Sequence, residues 1–478
     1  MEETELLNPR NSNTLDIAEN KKSSDTKNHL IERIIEEIGY GKYTFLLYLM
    51  ISIISVIDGS EALITALVNY ILSKVVWLRS SEDMSMYSTL VYTGLFIGTL
   101  LSVTIADRLG RRKPIIIFLS LALGIGIISS LSPSFTFLII TRTLYTMSFG
   151  VLIPLGVTYV METTSKAVRG KVNIFLTSGG YAAGEIYTII FAYAVGAEKE
   201  GTSSWRVLMW WILVPILIAL VISIMYLKES PRFVILKNPI QAVEIFREMF
   251  KMNHQSELVV DSSEIAEIQE LSIAHQKKMN VNPFFELFRG ENRRITTCLW
   301  VLWYIILFMF TGIPFMMPLI SGSEEGFLDY RTLIYSVATE IPGHIISYSL
   351  IENPCFGRKK ILYVSLFACA IFSFSAYLFE SYFLLFSCLV RLGACISYDI
   401  ISPYTSELYH TNCRVSGTGC GVALGRVGSL MVPWLIVGVL NITDVKAYVV
   451  FGCLSVVGFI ASILIPYDTT GKELDKEK

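Results

Sequence analysis

Five acidic residues stand inside stretches of chain that are otherwise apolar: Asp58, Glu61, Glu185, Glu340 and Asp399. An ionised side chain at the centre of a bilayer costs roughly 2.5–3.5 kcal/mol on insertion scales. Each of these groups must therefore be paired, protonated or turned toward water. Asp58 and Glu61 are three residues apart and share one face of a helix. Two carboxylates that close repel each other, and a proton taken up by one relieves the repulsion. The pair reads either as a proton-exchanging site or as an attractor for a cationic solute, with a salt bridge to an arginine as the structural alternative. Glu185 lies among Gly179, Gly180, Ala182, Ala183 and Gly184, small residues that let helices approach closely or leave a cavity. Glu340 stands beside the break expected at Pro342-Gly343. Both acids are placed on the solute or proton path, with interhelical pairing as the alternative. Arg391 either pairs with Glu340 or binds a carboxylate on the solute. Arg142 and Arg426 stand nearer the ends of their stretches and read as structural partners, and Asp399 as part of a gate. Tyr181, Tyr187, Trp300, Trp303 and Tyr304 are candidates for an aromatic wall, which would favour flat or quaternary-ammonium solutes. The competing role is anchoring at the membrane interface.

The elements that position these residues follow from composition. Of 478 residues, 53% are hydrophobic and 17% charged. The apolar runs repeatedly reach the roughly 20 residues needed to cross about 30 Å of hydrocarbon. Spans are expected at about 43–72, 86–106, 114–132, 135–158, 172–196 and 207–227, then at 295–320, 328–351, 360–379, 382–404, 415–440 and 446–466. The fold class is thus an all-α membrane protein of twelve transmembrane helices in two pseudo-symmetric six-helix bundles. The organisation is a tail 1–38, a first bundle 39–228, a linker 229–292, a second bundle 293–466 and a tail 467–478. Within the linker, helices are expected over Pro239–Met252 and Ser262–Gln276. Basic residues cluster at Arg108–Lys113, Lys166–Lys171 and Arg358–Lys360. Basic loops stay inside, so the linker and both termini are placed in the cytoplasm.

Other classes find little support. A formal net charge of −2 gives no footprint for nucleic acid. The first forty residues have no apolar stretch behind a basic start, so no cleavable signal is expected. The eight cysteines have neither CxxC spacing nor clustered histidines around them. They read as buried, reduced thiols, and metal sites and disulfides are not expected. No nucleophile–base pair, nucleotide-binding loop or cofactor motif is visible, so the chain is not read as an enzyme and transport energy must come from gradients.

The two halves echo each other. Glu162 is followed seven residues later by Arg169, and Glu407 seven residues later by Arg414. Asp107-Arg108-Leu109-Gly110-Arg111-Arg112-Lys113 in the first half has its counterpart in Gly357-Arg358-Lys359-Lys360 in the second. Duplicated bundles around one midplane site are the plan of rocking carriers. Asp107, Arg108, Gly110, Arg111, Glu162, Arg169, Glu407 and Arg414 are accordingly read as a cytoplasmic gate, with acids and bases pairing across the bundles to hold one conformation shut. Topology and headgroup anchoring are the alternative role of the basic runs.

Ala106 to Lys113 resembles the loop signature of the major facilitator superfamily. Tyr159, Glu162, Arg169 and Gly170, with Glu229-Ser-Pro-Arg-Phe, resemble its sugar-porter and organic-ion branches. Gly39-Tyr-Gly-Lys-Tyr43, Asp58-Gly-Ser-Glu61, Glu340-Ile-Pro-Gly343 and Tyr404-Thr-Ser-Glu-Leu-Tyr409 with Arg426-Val-Gly428 are similar to the synaptic-vesicle-two-related (SVOP-like) group. The resemblance covers nearly all of residues 39–466. Ser165 and His410 stand where that family has proline, and Pro354 where it has an acid, which degrades the second loop motif. Thr177-Ser-Gly-Gly-Tyr and Phe310-Thr-Gly-Ile-Pro replace the glutamine-rich signatures of sugar porters. The resemblance implies a monomeric secondary transporter of a small organic ion, either a cation or an aromatic acid, and the acids within the spans, which outnumber the arginines, favour a cation or proton symport. It implies a plasma or vesicle membrane. The competing class is a transporter-like sensor or vesicle protein that moves nothing, and a sugar porter is disfavoured.

Overall fold

The computed structural model describes residues 30–72, 80–165, 168–196, 204–235, 237–254, 256, 258, 286–290, 292–321, 329–351, 353, 356–409, 414–442 and 444–469. The side chains of Asp107, Arg169 and Arg414, and the whole of the helix expected over 262–276, lie outside the described residues.

The apolar runs become α1 (Lys42–Ile71), α2 (Ser81–Leu109), α3 (Arg112–Ser130), α4 (Phe135–Thr163), α5 (Arg169–Val195) and α6 (Ser204–Tyr226) in the first half. The second half holds α7 (Asn292–Ser321), α8 in two pieces (Tyr330–Ala338 and Glu340–Leu350), α9 (Arg358–Leu378), α10 (Phe383–Leu408), α11 (Arg414–Val432) and α12 (Ala447–Leu464). α11 runs on as a π-helix over Pro433–Val439, where proline disturbs the regular ladder. Among the described residues, ten helices are long and apolar enough to cross a membrane. The two below that threshold are α5, which carries Arg169, Lys171 and Glu185, and α8, which is broken. The break in α8 falls at Thr339, one turn before the expected position. Pro342 has no N–H to give the carbonyl four residues back, at Ala338, and its ring crowds that carbonyl.

Side-chain pattern sorts the helices by depth. α1, α4, α7 and α10 are the most enclosed of the ten. α3, α6, α9 and α12 turn outward rows of exposed apolar side chains, such as Leu217, Val221 and Ile224 on α6 and Val364, Phe367 and Ile371 on α9. Exposed apolar rows of this extent belong against lipid rather than water. α1 and α5 touch almost backbone to backbone: a Cβ on Gly59 would collide with the Tyr181 carbonyl, and one on Gly184 with that of Val56. That contact sets Asp58 and Glu61 opposite Tyr181 and Glu185.

On one side the linker helix Pro239–His254 buries Ala242, Val243, Phe246 and Met249 beneath the first bundle. It packs there with a helical segment at 30–38 whose Ile34, Ile35 and Ile38 are buried in the same core. Asn253 ties the two, accepting from Tyr43 N at 2.8 Å and donating to Ile38 O at 3.0 Å. A Cβ on Gly41 would meet Asn253, which accounts for the glycine there. The 30–38 segment is therefore packed structure within what the sequence presents as a tail.

Candidate functional site

A small cavity lies between the two halves. It is lined by Asp58, Glu61, Ala62 and Thr65 of α1, Val91, Tyr92 and Leu95 of α2, Thr146 of α4 and Tyr181 of α5 from the first half. Leu307, Phe310 and Thr311 of α7, Tyr398 of α10 and Arg426 of α11 face them. The space is about 30 Å³, room for about two waters at 10–15 Å³ each. Sites for organic ligands run to roughly 300–1,000 Å³, so the bundles must part before a solute enters. On the side away from the linker they are already in contact. Ser85 Oγ donates to Pro433 O at 2.8 Å, Tyr330 OH donates to Ala192 O at 3.3 Å, and the Tyr193 and Tyr330 rings meet edge-on at 5.5 Å.

The charges in the cavity wall are unequal. Glu61 is held by Arg142, which also lies over the Tyr145 ring, and by Thr65 Oγ1 at 3.3 Å. Asp58 is three residues away and faces Arg426 across the bundles at 4.0 Å, the outer limit of an ion pair. The Asp58 and Arg426 side chains keep 17% and 11% exposure. Their pair is loose, partly exposed to the cavity and drawn from opposite halves, so it can be separated without baring a fully buried charge.

Glu185, Glu340 and Arg391 make a second ionic cluster that does not line this cavity. The Arg391 guanidinium lies 2.9 Å from both Glu185 oxygens, pairs with Glu340, and donates to Phe310 O at 2.6 Å. All three side chains are 0% exposed. Tyr181 and Phe310, with rings 5.0 Å apart, stand on the cavity side. Beyond them Asp399 accepts from Ser178 Oγ at 2.6 Å and contacts His344 Nδ1 at 2.8 Å. His344 sits one turn after Glu340 on the same face of α8, and Cys395 one turn before Asp399 on α10. In the sequence both are marked only by i, i+4 spacing to an acid, His344 to Glu340 and Cys395 to Asp399.

Among the described side chains, the expected gate residues that pair do so within the halves rather than across them, which corrects the expected geometry. Arg111 Nη2 is 2.7 Å from Glu162, and Arg111 N donates to Glu229 Oε1 at 2.6 Å. Tyr159 OH donates to Lys228 O at 2.9 Å. Gly110 has φ +84° with the Glu229 carboxylate where a Cβ would stand, so the turn admits only glycine comfortably. The second half repeats the device. Arg358 pairs with Glu407, Arg358 N donates to Asp468 Oδ1 at 3.2 Å, and Tyr404 OH donates to Tyr467 O at 2.7 Å. Asp468 thus answers to Glu229, although the sequence places it in a tail. Arg108 is exposed and contributes its carbonyl to Lys237 Nζ at 3.2 Å.

The aromatic wall differs from expectation. Tyr181 lines the cavity, but Tyr187 donates to Trp211 O, Trp303 to Thr405 Oγ1, and Trp300 packs edge-on against Phe288. The Tyr304 ring stacks on that of Phe308, with centroids 6.1 Å apart. Tyr92, Phe310 and Tyr398 take the remaining places around the cavity. Arg426, read from sequence as structural, is the guanidinium that reaches the cavity.

Two six-helix halves around a small cavity that reaches Asp58, Glu61 and Arg426, with the same arginine–carboxylate bracing repeated at one end, define a multi-pass membrane protein of the transporter class. Residues 44–433 match the model of the Major Facilitator Superfamily, and the chain belongs to that family. Among its relatives, the Synaptic vesicle 2-related protein of Xenopus laevis is 23% identical over 475 residues, covering 94% of this chain and 82% of that one. The Organic cation/carnitine transporter 7 of Arabidopsis thaliana is 24% identical, covering 93% and 95%. The Niacin transporter NiaP of Acinetobacter baylyi is 24% identical, covering 93% and 99%. A structure of the XylE proton:xylose symporter of E. coli superposes with a TM-score of 0.72 over 90% of this chain and 98% of the other. At 15% identity that likeness establishes the fold alone.

Proposed function

We propose that the chain is a proton-coupled carrier of a small organic ion bearing a carboxylate, working by alternating access. The observation that carries this is the loose Asp58–Arg426 pair in the cavity wall. A proton on Asp58 removes the counter-charge of Arg426 and frees it to bind the carboxylate of a solute. Proton and solute then load together, and each favours the binding of the other. Tyr92, Tyr181, Phe310 and Tyr398 give the cavity an aromatic lining that suits a flat solute. Carnitine and niacin, named in two relatives, both carry a carboxylate.

The first bundle, 39–228, and the second, 293–466, rock about the cavity, with the linker 229–292 and both termini in the cytoplasm. That orientation rests on the basic residues at Arg108–Lys113 and Arg358–Lys360 on the linker side. Arg111 with Glu162, and Arg358 with Glu407, brace each half at that end, so each bundle moves as a body. Glu185 of α5 in the first half meets Arg391 of α10 and Glu340 of α8 in the second, so this buried cluster joins the two bundles behind the cavity and its contacts must re-form as they rock. No catalytic step is assigned to any residue. The reading as a transporter-like protein that moves nothing leans on the degraded second loop motif, but the second half keeps the rest of the device, with Arg358 paired to Glu407 and its backbone N–H donating to Asp468.

The test is uptake of labelled organic cations, nicotinate-like acids and hexoses into proteoliposomes, with and without an inward proton gradient. The expected result is uptake of an acid that rises with the gradient. Uptake of hexose, or uptake of an ion indifferent to the gradient, contradicts the proposal.

A further inference from the structure

Four side chains with metal-binding chemistry meet between α8 and α10, behind the cavity. Glu340 and His344 share one face of α8, and Cys395 and Asp399 one face of α10. Donor atoms of Glu340, His344 and Cys395 all lie within 4.8 Å of one another, and all three residues are buried. His344 Nδ1 contacts Asp399 Oδ2 at 2.8 Å, which fixes the ring and turns Nε2 toward Glu340 Oε2, 3.8 Å away. Neither His344 Nε2 nor Glu340 Oε2 has a hydrogen-bond partner among the described residues.

A separation of 3.8 Å is too long for a hydrogen bond between them. It suits two ligands of one ion, because donors roughly 2.1 Å from a metal lie no more than about 4.2 Å apart. A carboxylate that holds the second nitrogen of a histidine is the arrangement that orients a metal-binding imidazole. The charge balance points the same way. Glu185, Glu340 and Asp399 place three carboxylates in this buried neighbourhood against the single guanidinium of Arg391. With Cys395 bound as its thiolate the neighbourhood carries four negative charges against one positive, and a doubly charged cation cuts that excess to one where unpaired charge is costly.

We propose that Glu340, His344 and Cys395 bind a divalent transition-metal ion of the zinc class, with Asp399 as the residue that orients His344. A thiolate and an imidazole beside a carboxylate favour such an ion over magnesium or calcium. Three protein ligands leave one coordination position open, the pattern of exchangeable sites rather than closed structural ones. The sequence alone gave no metal expectation because the four residues come from two helices 55 positions apart. The site uses neither Asp58 nor Arg426, so it stands or falls separately from the transport reading.

The test uses full-length protein without a polyhistidine tag, stripped by chelator and titrated with Co²⁺ as the probe. One equivalent is expected to bind with a thiolate-to-cobalt absorption band, and Zn²⁺ to displace it. Cys395→Ser should abolish the band. His344→Ala and Glu340→Gln should weaken binding at least about tenfold, and Asp399→Asn by about 10–100-fold. Folding of each variant is followed by size exclusion and melting. Should Cys395→Ser fail to fold, a variant that keeps Cys395 and replaces the other seven of the eight cysteines must still give the band. Absence of the band in the parent protein or in that variant overturns the proposal. So does a band of unchanged strength in folded Cys395→Ser, or Co²⁺ affinity unchanged in His344→Ala.

Discussion

Two of the arginine–carboxylate clusters in the membrane-crossing part of this chain differ in what holds their charges. Arg391 sits between Glu185 and Glu340 with all three side chains at 0% exposure. Arg426 faces one carboxylate, Asp58, at 4.0 Å, with both side chains partly exposed beside the cavity. The first joins α5 of one half to α8 and α10 of the other, and opening it bares desolvated ions unless other partners or water replace the lost ones. The second opens at small cost. A charge inside a span is therefore not by itself a sign of a transport site; a charge that is loosely paired and reached by water is a better one.

The largest expected effect comes from breaking the tight cluster. Arg391→Met leaves Glu185 and Glu340 buried without their cation, a loss of roughly 3–5 kcal/mol. Detergent extracts should then yield little folded protein by size exclusion. Arg426→Met, in the loose pair, should cost about 1 kcal/mol or less and give folded protein that no longer takes up solute. Equal yields for the two variants would erase the distinction between the clusters.

The next effect sharpens it on the carboxylate side. Asp58→Asn should lower gradient-driven uptake at least about tenfold, the scale of losing 1.4 kcal/mol of coupling, while the melting temperature shifts by only a few degrees. Smaller still is the gate. Double-mutant cycles on Arg111 with Glu162 and on Arg358 with Glu407 should each give a coupling of about 0.5–3 kcal/mol, similar in the two halves. A cross-cycle between Arg111 and Glu407 should give none, because the pairs close within bundles.

The smallest effect belongs to Asp444, in the loop before α12. Its slight burial would raise the carboxyl's pKa, but the Lys446 backbone N–H at 2.9 Å and the Lys446 ammonium together hold it below the usual carboxylate range. With the folded value depressed, the contribution is present above the ordinary carboxylate pKa and is lost as pH falls through the folded one. Asp444→Asn should thus leave the melting temperature unchanged between pH 5 and 8 to within about a degree or two, and transport untouched.

Much of this was legible in the sequence because hydrophobic run length is set by bilayer thickness and needs no tertiary information. The acids at 58, 61, 185, 340 and 399 were visible for the same reason, as interruptions of those runs. Which arginine meets which acid was not. Arg426 and Arg391 both lie in apolar stretches, and only the approach of Arg426 on α11 to Asp58 and the packing of α10 against α5 and α8 tell them apart. The doubled spacing after Glu162 and Glu407 revealed a repeat but not whether its salt bridges close within or between halves. Asp468 escaped notice because it follows the last span, and its role depends on the chain folding back to the loop before α9.

The central claim is that the proton-exchanging carboxylate is Asp58, and it is tested most directly by separating exchange from accumulation. In proteoliposomes carrying Asp58→Asn, solute-for-solute exchange, which needs no net proton movement, should persist at neutral pH. Accumulation driven by an inward proton gradient should disappear. Gradient-driven accumulation at the level of the parent protein would contradict the account and move the coupling proton away from the Asp58–Arg426 pair.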